Sequence, residues 1–505
     1  MTRLRIENAT YVVTVDDENR VLENATVTIE NGVITSIDDE AAAQRAGSRA
    51  AQPEAVVRPL AGTGGSDRVR ATGEGADGLR PHDPSGGAAE VTIRGAAAHD
   101  SPPRETSIDA TGKLVMPGLV NLHTHLPMTL LRGLAENLDL QGFLTRVWAA
   151  ETAVMDPETV ELGATLGALE SLLGGSTTQL DMYFHHEAAH RGAVAAGSRH
   201  VIGPVFFDGP GPDGLAWDER LANLRSWPGL LDEIGGPEVP VPVMPHATYT
   251  CSPDGFAEVA KVLRTILADG DRRGLLSTHA SENAAENDGI RQQFGATPTE
   301  LLARSGWVEP DLPLVLGHGV HLTPGDRALL ADAGAAVAHC PGSNLKLASG
   351  ALVWEEVRAS GVRLGLGTDG CSTSNDLDMW QAMRQAALLA RLTSGRPDVA
   401  GAADVLRAAT IDGARALGLG DVIGSVEVGK RADLVLLDLR APHLTPVHDV
   451  AALLVFAAGR GDVTDVVVDG EHVVSDRRST RLDTPALLAR AHARAAVARA
   501  AVEAL

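Results

Sequence analysis

The sequence predicts an α/β protein, a (β/α)8 barrel with a small β-sandwich formed from both ends of the chain. Three observations carry that expectation. Between about Leu114 and Gly420, short apolar runs alternate with longer Ala/Leu-rich segments, the rhythm of repeated strand-then-helix units. Eight such runs can be counted, and nearly every one ends in an ionisable residue, at the strand ends where barrels of this type build their sites. Outside that region both chain ends carry alternating apolar runs broken by Asn-Gly or Asp-Gly, the two-residue hairpin signature.

Taken in order, "ATVTIENGVITSI" turns at Asn31-Gly32, so residues 1–38, together with 108–115, form the first part of the β domain. Residues 39–107 hold no aromatic side chain and are dense in Gly, Ala, Arg and Pro. Such a stretch offers too little apolar surface to offset the entropy of ordering it, so a flexible low-complexity insertion is expected, with His82 and His99 solvated. The barrel is expected over 116–423. Its strands are "LVNLHTH", "TTQLDMY", "HVIGPVFF", "VPVMPHAT", "LLSTHAS", "LVLGHGV", "AAVAHCP" and "RLGLGTDG". Of the helical segments, "DPETVELGATLGALESLLGG" has Asp156 as N-cap, Pro157 at the first helical position and Gly174 just past the end. Residues 424–480, with a turn at Asp469-Gly470, complete the β-sandwich, and 481–505 read as a C-terminal helix.

The 505 residues can bury a large core, which with only 3 % aromatics must be mainly aliphatic. A formal net charge of −23 and only four lysines argue against nucleic acid or an anionic membrane surface as partner. Three cysteines without a CxxC pair form no disulfide framework, which fits a reduced, cytoplasmic setting. The amino terminus lacks the apolar core of a signal peptide, and no apolar run approaches the ~18 residues of a membrane helix. A soluble homo-oligomer acting on a small molecule is expected.

The chemistry begins at "GLVNLHTHLPMTLLRG". His123 and His125 are one residue apart at the end of an apolar run, so both side chains point to one face. They could chelate a metal or be polar residues where a strand meets water. The other runs supply Asp181, His246, His279, His318, His339 and Asp369 at matching ends. Barrel closure would bring these ends to one rim, where the HxH pair, the strand-five histidine and the strand-eight aspartate could ligate one divalent ion. Imidazole plus carboxylate suits Zn²⁺, or Fe²⁺, better than Mg²⁺.

"PGLVNLHTHLPMTLLRGL", "HASE", "GHGVHL", "SNLKLASG", "GLGTDGCSTSNDLDMW" and "GSVEVGKRADLVLLD" resemble the amidohydrolase superfamily. Within it they are most similar to the methylthioadenosine/S-adenosylhomocysteine deaminase group, over nearly the whole chain outside 39–107. The resemblance implies a metal-dependent nucleoside deaminase with His123, His125, His279 and Asp369 as ligands. It further implies Glu282 as the proton-shuttling acid, His318 beside the attacking water and His246 near the substrate. Two-metal relatives carry a bridging lysine on strand four, but "VPVMPHATYT" has none, so one ion is expected. Phe143 stands where the group often has tryptophan beside the adenosine, and Thr373 could bond a purine edge or cap its loop. Members that prefer S-adenosylhomocysteine are expected to hold its carboxylate with arginines. One such position reads Pro204 here, and Arg220 could supply the second contact. His321 and His339 read as supporting residues, Cys340 and Cys371 as buried thiols. The alternatives are hydrolysis of another heterocycle (guanine, pterin or triazine) and a non-catalytic scaffold, which would have no need to keep Glu282.

Overall fold

The computed structural model describes residues 2–39, 104–268 and 270–503. Strands from both chain ends meet in one nine-stranded sheet. The first group is β1 (Thr2–Val13), β2 (Val21–Glu30), β3 (Val33–Asp39), β4 (Arg104–Asp109) and β5 (Lys113–Pro117). The second is β15 (Leu434–Asp438), β16 (Val463–Val468), β17 (Glu471–Ser475) and β18 (Arg478–Ser479). The order is β18-β17-β16-β15-β5-β1-β2-β3, with β4 beside β1, so β15 pairing with β5 stitches the two ends together. Both expected hairpin turns form with two successive left-handed residues, Asn31 (φ +51°) and Gly32 (+82°), then Asp469 (+53°) and Gly470 (+82°). That backbone matches the right-handed twist of the strands it joins.

Alternation along the strands splits the apolar side chains between two cores. Leu434, Leu436, Val467 and Val115 join Ile6, Val27 and Ile29 in one cluster. Their neighbours Val435, Leu437, Val466 and Leu114 belong to the other, which continues into the α/β body. β4 starts at Arg104, so 104–107, expected within the insertion, pair in parallel with β1 instead, carried in by the buried Ile108. The remainder of that expected insertion, with His82 and His99, lies outside the described residues.

The body is built on parallel strands β6 (Leu119–Thr124), β7 (Ser176–Asp181), β8 (Arg199–Val201), β9 (Val205–Phe206), β10 (Val241–Pro245), β11 (Gly274–Ala280), β12 (Leu314–His318), β13 (Ala336–His339) and β14 (Arg363–Leu366). All eight expected runs are strands, and the third is divided into β8 and β9. Gly203 and Pro204 sit at the division. Pro204 has no N–H to donate, and a Cβ on Gly203 would lie 2.2 Å from the Pro242 carbonyl oxygen. The result is two sheets, β6-β7-β8 and β9-β10-β11-β12-β13-β14. Their other edges meet where the Asp369 amide donates to the His123 carbonyl at 2.9 Å. The helix Pro157–Leu173 has the expected Asp156 cap, which accepts from the Thr159 amide, and Gly174 at its end. The chain closes with the helix Thr484–Glu503.

One buried ion pair locks body to sheet. Arg199 of β8 donates through Nε and Nη2 to the Asp433 carboxylate, both at 2.9 Å, and through Nη1 to the Glu238 carbonyl at 2.7 Å. Among the described residues no helix is long and apolar enough to cross a membrane.

Candidate metal centre and active site

Four strand ends supply the polar floor of the site. His123 lies near the end of β6, and His125 just beyond it, capping a tight 3₁₀ turn over Leu126–Leu131 with Pro127 in its first positions. His279 is on β11, His318 ends β12, and Asp369 follows β14 with a left-handed backbone, φ +61°. Each of three imidazoles has its Nδ1–H committed elsewhere. His125 donates to the Met182 carbonyl (2.6 Å), His279 to the His246 carbonyl (2.7 Å) and His318 to Asn344 Oδ1 (3.0 Å). With Nδ1 so engaged, each ring turns its Nε2 inward, as bonded partners do around metal-ligating histidines.

The inward atoms converge. His279 Nε2 and His123 Nε2 are 3.1 Å apart, His125 Nε2 is 3.1 Å from Asp369 Oδ1, and His123 Nε2 is 3.7 Å from the same oxygen. Burial, reinforced by the neighbouring imidazoles, pushes His123 and His279 well below the usual histidine range, so both are neutral. With its Nδ1–H given to the His246 carbonyl, His279 presents an Nε2 lone pair that accepts from His123 Nε2 or, with that proton displaced, is shared with His123 by a cation. Burial raises Asp369, but the His125 hydrogen bond and the surrounding imidazoles outweigh it and hold the carboxyl well below the usual range. Burial lowers His125, but the Asp369 carboxylate outweighs it and raises the ring to about 9. A cation would therefore displace the Nε2 proton that His125 shares with Asp369. The three imidazoles and one carboxylate are the donor set of a Zn²⁺-type ion. His123, His279 and His318 form a second convergent trio. His318 Nε2, however, also faces Glu282 Oε2 (3.8 Å) and Asp369 Oδ2 (3.9 Å). Space for the rings depends on Gly317, where a Cβ would stand 3.3 Å from His123 Cε1 and 3.4 Å from His279 Cδ2.

Above this floor opens a narrow, mainly apolar cavity. Glu282, His318, Asp369, His246, Phe143 and Thr373 all line it, so the expected site residues are brought together. Glu282 is buried, and desolvation lifts its carboxyl to about 7 while His318 pulls the other way. His246 is held neutral by burial, its pKa pushed down to about 3, and stacks on Phe207 at 5.1 Å between centroids. Phe143 belongs to an apolar stripe, Leu140, Phe143, Leu144 and Val147, on the helix Leu140–Val154. Thr373 donates to the Gly370 carbonyl (2.8 Å), so it caps its loop while also lining the cavity.

Arg220 is not brought to the cavity, which corrects the expectation of a direct substrate contact. Its guanidinium is buried behind the wall, paired with Asp213, bonded to the Val205 carbonyl (2.9 Å) and lying 5.3 Å from the Phe207 ring centre. Among the described residues no lysine or arginine lines the cavity. Asp181 supports the floor from below, accepting the Leu126 amide (3.1 Å) and pairing with His200 (3.0 Å). His339 is buried beside Trp354, and His321 pairs with the Ser349 carbonyl (2.6 Å), both supporting roles.

Sequence reasoning missed Glu151 and Tyr183. Glu151 continues the stripe of Phe143, Leu144 and Val147 into the cavity, and an acid at the next position of an apolar helical stripe was the available signal. Its Oε1 accepts from the Tyr183 hydroxyl (2.6 Å), its Oε2 has no partner, and burial lifts it to about 7 against the pull of Tyr183.

Comparison with known proteins supplies the family and the fold. A model of the amidohydrolase family matches residues 114–473. A curated "5-methylthioadenosine/S-adenosylhomocysteine deaminase" of Moorella thermoacetica is 39 % identical over 386 residues, 76 % of this chain and 87 % of that one. A solved adenosine deaminase of Xanthomonas campestris with bound zinc superposes with a TM-score of 0.80 at 34 % identity, covering 99 % of each chain. The atrazine chlorohydrolase of Arthrobacter aurescens, also with zinc, shares the fold, with a TM-score of 0.76 at 23 % identity over 97 % of this chain and all of that one. Matched along most of its length by the family and by these relatives, the chain belongs to the amidohydrolase family.

Proposed function

We propose that this protein is a metal-dependent aminohydrolase that deaminates an adenosine-type nucleoside, adenosine itself or a 5′-substituted adenosine, to the inosine analogue and ammonia. The observation that carries it is Glu282: a buried carboxyl with a pKa of about 7, beside His318 and a four-ligand cluster, at the floor of an apolar cavity. The relatives' names give the substrate class. The two parallel sheets are read as one closed (β/α)8 barrel over 116–423, bridged at the β8/β9 division and at the His123–Asp369 bond. The terminal sheet, over 1–38, 108–115 and 424–480, is read as a sandwich.

One zinc ion held by His123, His125, His279 and Asp369 would supply Lewis-acid activation of water near neutral pH. The protein's residues do the rest. Asp369 Oδ2, oriented by the Ser343 hydroxyl at 2.6 Å, accepts a hydrogen bond from the attacking water. His318 faces the same point and stabilises the negative charge that develops there. Glu282 gives a proton to the ring nitrogen as the adjacent carbon is attacked. It then takes the water-derived proton and delivers it to the departing amine, which leaves as ammonia. Phe207 and His246 flank the base, and the unpartnered Glu151 Oε2 accepts from sugar hydroxyls. The test is ammonia release from adenosine, 5′-deoxyadenosine, methylthioadenosine and S-adenosylhomocysteine, with guanine, a pterin and a triazine as rivals. Turnover of a rival with none of the four nucleosides would move the assignment to that heterocycle, and no turnover at all would favour the scaffold.

A further inference from the structure

Glu286 is a further buried acid near the floor, and the mechanism above does not use it. It does not line the cavity. Its Oε2 accepts the backbone amide of Glu282 at 2.8 Å, and its Oε1 accepts the Thr248 hydroxyl at 2.8 Å. The Glu286 amide in turn donates to Asn283 Oδ1 at 2.8 Å, the N-cap of the helix Ala284–Phe294. An acid at this helical position ordinarily reaches back to the amide of the capping residue itself. Here it reaches one residue further, to the amide of the residue that carries the proton.

The backbone explains what that bond holds. Ser281, between β11 and Glu282, is a non-glycine residue in the left-handed region, φ +54°. This conformation is sparsely populated and persists only where surrounding bonds over-determine it. The Ser281 carbonyl is held from one side by the His321 amide at 3.0 Å. Glu286 holds the other side of the kink. Without it, the Glu282 amide would be a buried donor with no partner, and relaxing the kink would swing the Glu282 side chain away from His318.

We propose that Glu286, steadied by Thr248, is a positioning residue that fixes the backbone of Glu282 and so aims its carboxyl at the reacting ring. The inference rests on the reading of Glu282 as the proton carrier. An ordinary helix cap would affect folding alone, so the test must separate the two roles.

The experiment measures kcat, KM and bound zinc for Glu286→Leu, Glu286→Gln and Thr248→Val, each alone and combined with Glu282→Gln. Glu286→Leu removes the acceptor at similar size and should lower kcat about tenfold or more, with KM within about threefold and zinc content unchanged. Glu286→Gln keeps an oxygen for the Glu282 amide and an N–H₂ for Thr248, so it should stay within about threefold of the parent. Thr248→Val should give a smaller fall of about threefold in kcat. In the Glu282→Gln background none of the three should lower kcat further, because there is no proton carrier left to aim. An equal loss in both backgrounds, or an unchanged kcat in Glu286→Leu, overturns the proposal. If Glu286→Leu does not fold, Thr248→Val decides by the same criteria. A parental rate in Glu282→Gln alone would instead sink the underlying reading of Glu282 and this proposal with it. A slow Glu282→Gln with silent Glu286 variants sinks only the positioning role.

Discussion

The 5′ end of the substrate gives the sharpest quantitative prediction. The perturbation is chemical: extending adenosine at its 5′ carbon with a neutral methylthio group or with a charged amino-acid tail. A cavity that selects the charged tail must present a cation, and the described lining contains no lysine or arginine. Arg220 is a guanidinium behind the wall, and it is committed to Asp213 and the Val205 carbonyl. A hydrogen bond to a charged group is worth about 1.5–3 kcal/mol, so forgoing even one costs a carboxylate-bearing substrate roughly 10- to 150-fold. The lining offers apolar side chains instead, among them Leu140, Phe143 and Leu144, and burying each CH₂-sized unit of a neutral 5′ group against such residues gains about 0.8 kcal/mol. Comparison of kcat/KM should therefore favour methylthioadenosine, 5′-deoxyadenosine or adenosine over S-adenosylhomocysteine by tenfold or more. Arg220→Met sharpens the assay. If Arg220 only braces Phe207, all four substrates lose activity together; selective loss of S-adenosylhomocysteine turnover would mean that the guanidinium does reach the tail. A tenfold preference for S-adenosylhomocysteine in the parent would refute the reasoning outright.

Three further outcomes are expected. Elemental analysis should find about one zinc or iron per chain, lost in His279→Ala and in Asp369→Ala, since each removes one of the four proposed ligands, which belong to two convergent trios sharing His123; two equivalents would overturn the single-ion reading. Asp433→Asn removes one of the two carboxylates on the buried Arg199, which keeps Asp469 Oδ1 at 3.1 Å, and should destabilise the fold by about 1.5–3 kcal/mol in denaturant melts, with per-molecule activity kept at low temperature. A melt indistinguishable from the parent would mean the body and sheet are held by packing alone. Asp465 titrates in the opposite sense to a histidine. Burial raises it, but hydrogen bonds from His472, Lys113 and Thr464 outweigh this and hold it below its usual value. Its contribution is thus fully present above the unfolded value of 3.8 and is lost as pH falls toward the folded one. Asp465→Asn should lower stability at pH 7 and narrow the gap to the parent below pH 4; a gap that widens in acid would contradict this.

The sequence made visible what repeats or pairs locally. Alternating apolar residues around Asn31-Gly32 and Asp469-Gly470 gave hairpins, because two-residue turns of this type are encoded by the residues in them. Asp156, Pro157 and Gly174 bounded a helix for the same reason. The HxH spacing put His123 and His125 on one face without knowledge of the rest of the fold. Features that depend on partners far along the chain were not legible. The division of the third strand follows from Gly203 pressing on the Pro242 carbonyl, a neighbour about 40 residues away. Arg220 looked available because its pairing with Asp213 and its place behind Phe207 arise only in the folded loop. Strand β4 was hidden because "RETSID" is too polar to read as a strand until β1 lies beside it.

The same distinction explains where the site keeps its strain. Ser281 (φ +54°), His318 (+73°) and Asp369 (+61°) are all non-glycine residues in the left-handed region, each at the carboxyl end of a body strand and each at or beside a site group. No local pattern favours that backbone; a left-handed residue of this kind is costly and must be held by its surroundings. Each is held. The Asp369 amide is bound by the His123 carbonyl, the ring of His318 by Asn344, and the turn after Ser281 by the Glu286 carboxylate. A strand running straight on would carry its last side chain over the rim. A left-handed residue at the strand's end redirects the chain there, and three such turns, after β11, at the end of β12 and after β14, set Asp369, His318 and Glu282 around one point. The residue types that carry the chemistry could be read from the sequence, but their convergence depends on hydrogen-bond partners 4 to 246 residues away.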